Sequence, residues 1–263
     1  MTLVSRDGMR FRVSSNMLKA TSGCFATTLS LPQSPGTCPK EAVIDHLDED
    51  AQTIEGLLRM VTGKDCPRLE SLEVIEPLLL AAEKWDMPGP SSILKILLLQ
   101  NPTIASTHAI RLYWLGSLLG WDEMMKLASK FSCNSHIYSP NSRLWLQKLA
   151  STDLIRLMEF HRNRRNMMQT YLEEGSLVSP DCPEGHLLTQ THAYQVFQWR
   201  FLERMDLVPP GRRISENVLQ DMFTSLKLDT VECPSFICNR RHWSTIKVLA
   251  RIKTHWSTLP QTV

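Results

Sequence analysis

The feature that most constrains this chain is a change of hydrophobic period. Up to about residue 45 apolar residues alternate, and beyond it they recur every three or four positions. Leu3-Val4-Ser5-Arg6 and Met9-Arg10-Phe11-Arg12-Val13 flank Asp7-Gly8. An Asp-Gly pair between alternating runs predicts a β-hairpin, because both residues tolerate the positive φ of a tight turn. Phe11 and Val13 are expected on its buried face, with Arg10 and Arg12 outward. Ser14 or Ser15 can cap a short helix through Lys19, and Cys24 to Leu29 reads as a second. Pro32 to Gly36 is a loop, and Ala42-Val43-Ile44-Asp45 a third short strand.

Helical spacing then takes over. Asp48 to Asp50 form an acidic N-terminal turn ahead of Ile54, Leu57, Leu58 and Val61, a stripe at i, i+3, i+4, i+7. Residues 71–86 predict the next helix, with Leu78, Leu79 and Ala82 inward. Pro77 is expected to start or kink it, because proline lacks an N–H and clashes one turn back. Pro88-Gly89-Pro90 is expected to stop it, and Ser91 to cap an apolar helix from Ile93 to Leu99. Residues 107–119 and 122–133 read as a helical hairpin cornered at Gly120-Trp121. A long helix follows over 152–173, carrying Leu154, Leu157, His161, Met168 and Leu172. Further stripes cover 193–205, 214–226 and 245–256.

Composition excludes several classes. The 263 residues are 43% hydrophobic with a net charge of +2, too little for nucleic-acid binding through bulk charge. The longest uncharged apolar stretch, Leu112 to Trp121, is about half of the roughly 20 residues a bilayer requires. Met1 leads straight into charged sequence at Arg6, Asp7, Arg10 and Arg12, so no secretory signal is expected. Seven unevenly spaced cysteines then read as reduced thiols, and an intracellular location, cytoplasmic or nuclear, is expected. Cys24, Cys38, Cys66 and Cys133 read as packing residues.

The order hairpin, two short helices, strand, amphipathic helix and two more helices resembles the BTB/POZ domain. Leu3 to Val13 looks like that family's opening hairpin. Asn16 to Phe25 is similar to its first helix pair, with a leucine before a small Ser-x-x-Phe turn at Ser22 and Phe25. Ala81-Ala82-Glu83-Lys84-Trp85-Asp86-Met87 matches its small-small-x-Lys-aromatic-x-apolar helix end. Ser30-Leu31-Pro32-Gln33, Leu112 to Trp121 and His161-Arg162-Asn163-Arg164-Arg165 resemble the BTB proteins abundant in mushroom-forming fungi. The domain match covers about residues 2–100, and the fungal one reaches roughly 175.

The resemblance implies a non-enzymatic protein-interaction module that self-associates, recruits transcriptional partners, or serves as a cullin-ligase adaptor. Self-associating members usually carry a helix and strand before the hairpin, where this sequence has Met1. Cullin-binding members tend to carry apolar-x-Glu after the second short helix, where this sequence has Leu31-Pro32-Gln33. The expected architecture is α+β and predominantly helical. It comprises a BTB-like domain at 1–102, a helical extension at 103–175 and a loop-rich helical region at 176–263.

Candidate sites follow. Leu94, Ile96, Leu97, Leu98 and Leu99 make a helix apolar almost all round, either buried or covered on one face by a partner. Leu94, Leu97 and Leu98, with Leu31 and Gln33, are therefore the expected partner-binding residues, the partner being another protein or a second copy. Cys182-x-x-x-His186 and Cys233-x-x-x-x-Cys238, with His242, come nearest to a zinc pattern. Ordinary loop thiols are the simpler reading, so no metal or cofactor is expected. A Cys233/Cys238/His242 nucleophile lacks an orienting partner and an oxyanion motif. Arg162, Arg164 and Arg165 with His161 admit two readings, a contact for an acidic partner or nucleic acid and, the simpler one, a solvated helix face. His161 reads as a satisfied, partly buried histidine, and the tryptophans as core rather than a stacking platform.

Overall fold

The hairpin forms, with a wider turn than its sequence suggests. β1 (Thr2–Val4) pairs antiparallel with β2 (Arg10–Arg12) in the register Thr2 to Arg12, Leu3 to Phe11 and Val4 to Arg10. That leaves residues 5–9 as the connection. Ser5 is buried, and its N–H donates to the Met9 carbonyl at 3.0 Å. Its hydroxyl accepts from the Met9 N–H at 2.9 Å. A buried hydroxyl that satisfies the far strand's backbone stabilises a longer loop than a two-residue turn. Gly8 supplies the left-handed step at φ +81°. β3 (Val43–Ile44) adds parallel to β1, giving the order β2-β1-β3.

The computed structural model describes residues 1–31, 43–44, 47–174, 192–207, 216–228 and 245–263. Among these, three short strands accompany thirteen helices, so the architecture is α+β and predominantly helical. The chain divides into two compact units, Met1–Ile104 and Ala105–Val263. The second unit therefore contains helices both from 103–175 and from 176–263.

In the first unit α1 (Ser15–Thr21) and α2 (Gly23–Thr28) are capped by Ser14 and Ser22. Asp50 caps α3 (Ala51–Val61), accepting from the Thr53 N–H at 2.8 Å. A carboxylate at this position satisfies an otherwise orphaned donor. Leu3, Leu18, Ile54, Leu57, Ile75 and Leu79 form the buried core.

Prolines corrected two expectations. α4 (Leu72–Lys84) does not start at Pro77 but begins well before it and contains it. Pro88 and Pro90 do not stop a helix; they occupy the first turn of α5 (Pro88–Gln100). The leading N–H groups of a helix have no intrahelical partner, so proline costs nothing there. Ser91 is therefore not a cap. It is buried inside α5 and its hydroxyl donates to the Glu83 carboxylate.

α6 (Pro102–Thr107) spans the boundary, and the second unit continues with α7 (Ala109–Leu119) and α8 (Asp122–Ser132), the expected hairpin. Gly120 caps α7 at φ +67°, and the Trp121 N–H returns to the Gly116 carbonyl at 2.8 Å. Gly116 lets the two helices approach, since an added Cβ would stand 3.1 Å from the Met125 backbone nitrogen. The sequence reading missed α9 (Pro140–Leu146), although Ser139-Pro140 is a cap followed by proline at the first helical position. α10 (Ser151–Glu173) is the longest helix. Its C-terminal residues Met168 and Leu172 pack with Tyr194, Phe197 and Phe201 of α11 (His192–Leu207). The same core takes Phe223 of α12 (Glu216–Ser225) and Ile252 of α13 (Thr245–Thr258). Phe197 lies 4.8 Å from Phe223, and the buried Tyr194 hydroxyl donates to the Leu172 carbonyl at 2.5 Å.

Candidate functional site

Two sequence motifs lock the first unit together. Ser22 Oγ accepts from the Phe25 N–H at 3.1 Å, capping α2, and donates to the Trp85 carbonyl at the end of α4. The Gly23 N–H donates to the Asp86 carbonyl at 2.9 Å, and the Phe25 and Trp85 rings meet edge to face at 5.5 Å. A Cβ at 23 would meet the Asp86 carboxylate, which would have to turn aside. Asp86 itself turns the chain at φ +51°. Lys84 pairs with Asp48 at 2.7 Å and Glu49 at 2.9 Å, and these contacts raise its pKa. The Ser-x-x-Phe and Lys-Trp-Asp-Met segments are thus two halves of one joint.

That joint sets the start of α5 and with it which residues face outward. Leu94 and Leu98 are fully buried in contact range of α3 and α4, and Leu97 is half-buried. Leu94 and Leu98 therefore belong to the protein's own core and are not available to a partner. The outward row is Ile93 and Ile96, one turn apart and 51% and 54% exposed. The alternation of Leu94/Leu98 with Ile93/Ile96 at helical spacing is the signal the sequence reading passed over. Ile93 borders a trough of about 580 Å³ whose lining includes Lys19, Met60, Val61, Asp86 and Pro90. Leu31 is 63% exposed just beyond α2. Gln33 lies outside the described residues, as do Cys38, Cys182, His186, Cys233, Cys238, His242 and Trp243.

In the second unit α10 carries the basic run. Arg162 is exposed, as a solvated face requires. Arg164 is not part of that face: it is 4% exposed, and its guanidinium donates to the Pro260 carbonyl. It also stands over the rings of Phe160 at 5.7 Å and Trp256 at 5.6 Å. Leu157, Phe160, Arg164, Met168 and Leu172 are the buried residues of α10, so helical spacing alone places Arg164 on that stripe. Arg165 Nε pairs with Asp206 at 3.2 Å. His161 Nε2 lies 2.9 Å from Ser132 Oγ, and burial, with Arg164 adding to it, pushes its pKa down to about 4. The ring is neutral at pH 7 and satisfied.

Cys133 Sγ donates to the Ser129 carbonyl at 3.6 Å, and burial raises the thiol's pKa. Cys24 and Cys66 are exposed rather than packed. The tryptophans divide. Trp85 is buried, Trp199 is exposed, and Trp114 and Trp145 pair at 5.0 Å with Lys148 over both rings. Among the described residues no group of three or more His, Cys, Asp or Glu side chains could hold a metal ion. Among them, too, no helix is long and apolar enough to cross a membrane. Comparison with protein-family models and with curated proteins returned no match.

Proposed function

We propose that the chain is a non-enzymatic protein–protein interaction module whose first unit is a BTB/POZ-like domain. Support comes from the order of its elements and from the joint that brings Ser22, Phe25, Trp85 and Asp86 together. The observation that carries the interaction reading is the outward row of Ile93 and Ile96 beside a trough. Two exposed isoleucines one turn apart on a helix whose Leu94 and Leu98 lie in the core are apolar surface that gains by being covered. The partner is a second copy or another protein, and the reading requires no cofactor and no reaction.

Burying an isoleucine is worth about 1.5–3 kcal/mol. Ile93 and Ile96 are each about half exposed, so Ile93→Glu with Ile96→Glu should remove about 1.5–3 kcal/mol of association energy, roughly ten- to a hundredfold in affinity. Light scattering across tens of micromolar tests self-association. The wild type should exceed the mass of one chain and the double variant should not. A strict monomer at the highest concentration counts against the self-association form.

A second reading, a substrate adaptor of a cullin-type ubiquitin ligase, is favoured by the exposure of Leu31. It predicts co-purification of a cullin that Leu31→Asp abolishes. Absence of a cullin from wild-type preparations, even after Gln33→Glu, removes that reading.

A further inference from the structure

The arginines of α10 border a groove in the second unit. One end is a cavity of about 270 Å³ lined by Arg162, Arg164, Arg165 and Asp206 around His161 and Cys133. Its polar floor is already satisfied: His161 pairs with Ser132, and the Cys133 thiol donates to Ser129. Among the described residues the charges are not balanced. Asp206 is the one carboxylate among the residues lining this cavity, and Arg165 takes it. Arg164 has five N–H donors, of which, among the described residues, one meets a hydrogen-bond acceptor. Arg162 has no carboxylate partner among the described residues.

The cavity shares Ile137, Tyr138 and Met158 with a second one of about 370 Å³, whose walls add Leu146 and Leu154. The two together form a groove cationic at one end and apolar at the other, with Arg143 at the rim of the apolar part. Tyr138, where the cavities meet, is 64% exposed, so the groove is open to solvent at that point.

We propose that this groove binds a short acidic segment of a partner protein, its carboxylate held by Arg162 and its neighbouring apolar side chain seated against Ile137, Leu146, Leu154 and Met158. The guanidinium fork matches a carboxylate with two parallel hydrogen bonds. Arg164, 4% exposed and held by Pro260 and two aromatic rings, contributes its charge to the cavity rather than a direct contact. The uncompensated charge selects an anion, and the adjacent apolar wall selects one attached to a hydrophobic neighbour. An open groove of this depth receives side chains one at a time, as a peptide presents them, and does not enclose an acyl chain. The proposal concerns the second unit and stands independently of the α5 surface.

A peptide library displayed on phage and panned against the full chain provides the test. Enriched sequences should carry Asp or Glu next to an aliphatic or aromatic residue. Synthetic versions, followed by fluorescence anisotropy, should weaken as salt rises. Arg162→Glu, at an exposed position, should cost at least tenfold in affinity while circular dichroism stays unchanged. Tyr138→Ala should weaken binding without removing the preference for acid. The proposal is overturned if no peptide is enriched, or if enriched peptides bind wild type and Arg162→Glu alike. It is overturned equally if the chain binds phosphatidylserine vesicles through Arg162 and no acidic peptide.

Discussion

Ser22→Ala isolates the joint on which the first unit depends. The hydroxyl is buried and serves two backbone groups of distant segments, the Phe25 N–H and the Trp85 carbonyl. Losing a helix N-cap costs about 1 kcal/mol. Leaving a buried carbonyl without its donor adds about 1–3 kcal/mol. The expected loss is therefore about 3 kcal/mol, with a small cavity contribution because Ser and Ala differ by one atom. With a urea m-value of about 1.5 kcal/mol/M for a unit of this size, the midpoint should fall by about 2 M. Hydrogen exchange read by mass spectrometry during the urea titration assigns the transition to the unit that melts. Peptides spanning residues 15–31 and 79–90 should lose protection together and early. Ser22→Thr, which keeps the hydroxyl, should recover most of the loss. A Ser22→Ala midpoint within about 0.3 M of wild type would refute the reasoning, because it would mean that neither hydrogen bond contributes to folding.

Three other perturbations have definite signs. His161 has a folded pKa of about 4, below the unfolded value of about 6.5, so the protein should keep full stability above pH 6.5 and lose about 3 kcal/mol as pH falls from there towards 4. Urea midpoints against pH check this, and His161→Gln should flatten that part of the curve; equal slopes in both proteins contradict it. Gly116→Ala should destabilise by about 1 kcal/mol despite alanine's better helix propensity, because the new methyl meets the Met125 backbone; a rise in melting temperature would contradict the close approach of α7 and α8. Arg164→Met should raise hydrogen exchange at residues 259–263 by removing the donor to Pro260, while exchange in the first unit stays unchanged.

Legibility in the sequence followed the range of the interaction. The hairpin at Asp7-Gly8 and the corner at Gly120 were readable because each depends on a residue's own φ, whereas Asp48 to Asp50 read as an acidic first turn and instead precede α3, with Asp50 as its cap. Pro77 and Pro88-Gly89-Pro90 misled because proline's effect depends on where a helix begins, and the start of α5 is set by the Asp86 turn against Gly23. The apolar character of α5 was visible, but its orientation was not. Burial of Leu94 and Leu98 leaves the isoleucines outside, and only packing against α3 and α4 decides between those faces. His161 read correctly as a satisfied stripe histidine. Arg164 sits on the same stripe and was assigned to solvent by its charge. Its acceptor, Pro260, is almost a hundred residues away, beyond any local pattern. The groove between Arg162 and Leu154 could not be read at all, since Ile137-Tyr138 and Asp206 reach it from two segments far from α10 in the sequence.

The interaction-module reading is tested most directly by affinity purification from the native cell, comparing wild type with the Ile93→Glu/Ile96→Glu double variant by quantitative mass spectrometry. The reading predicts a stoichiometric protein partner, which can be the chain's own untagged copy, retained by wild type and lost from a double variant that remains folded. Recovery of the same proteins in the same amounts from both, or of none from wild type, would contradict it.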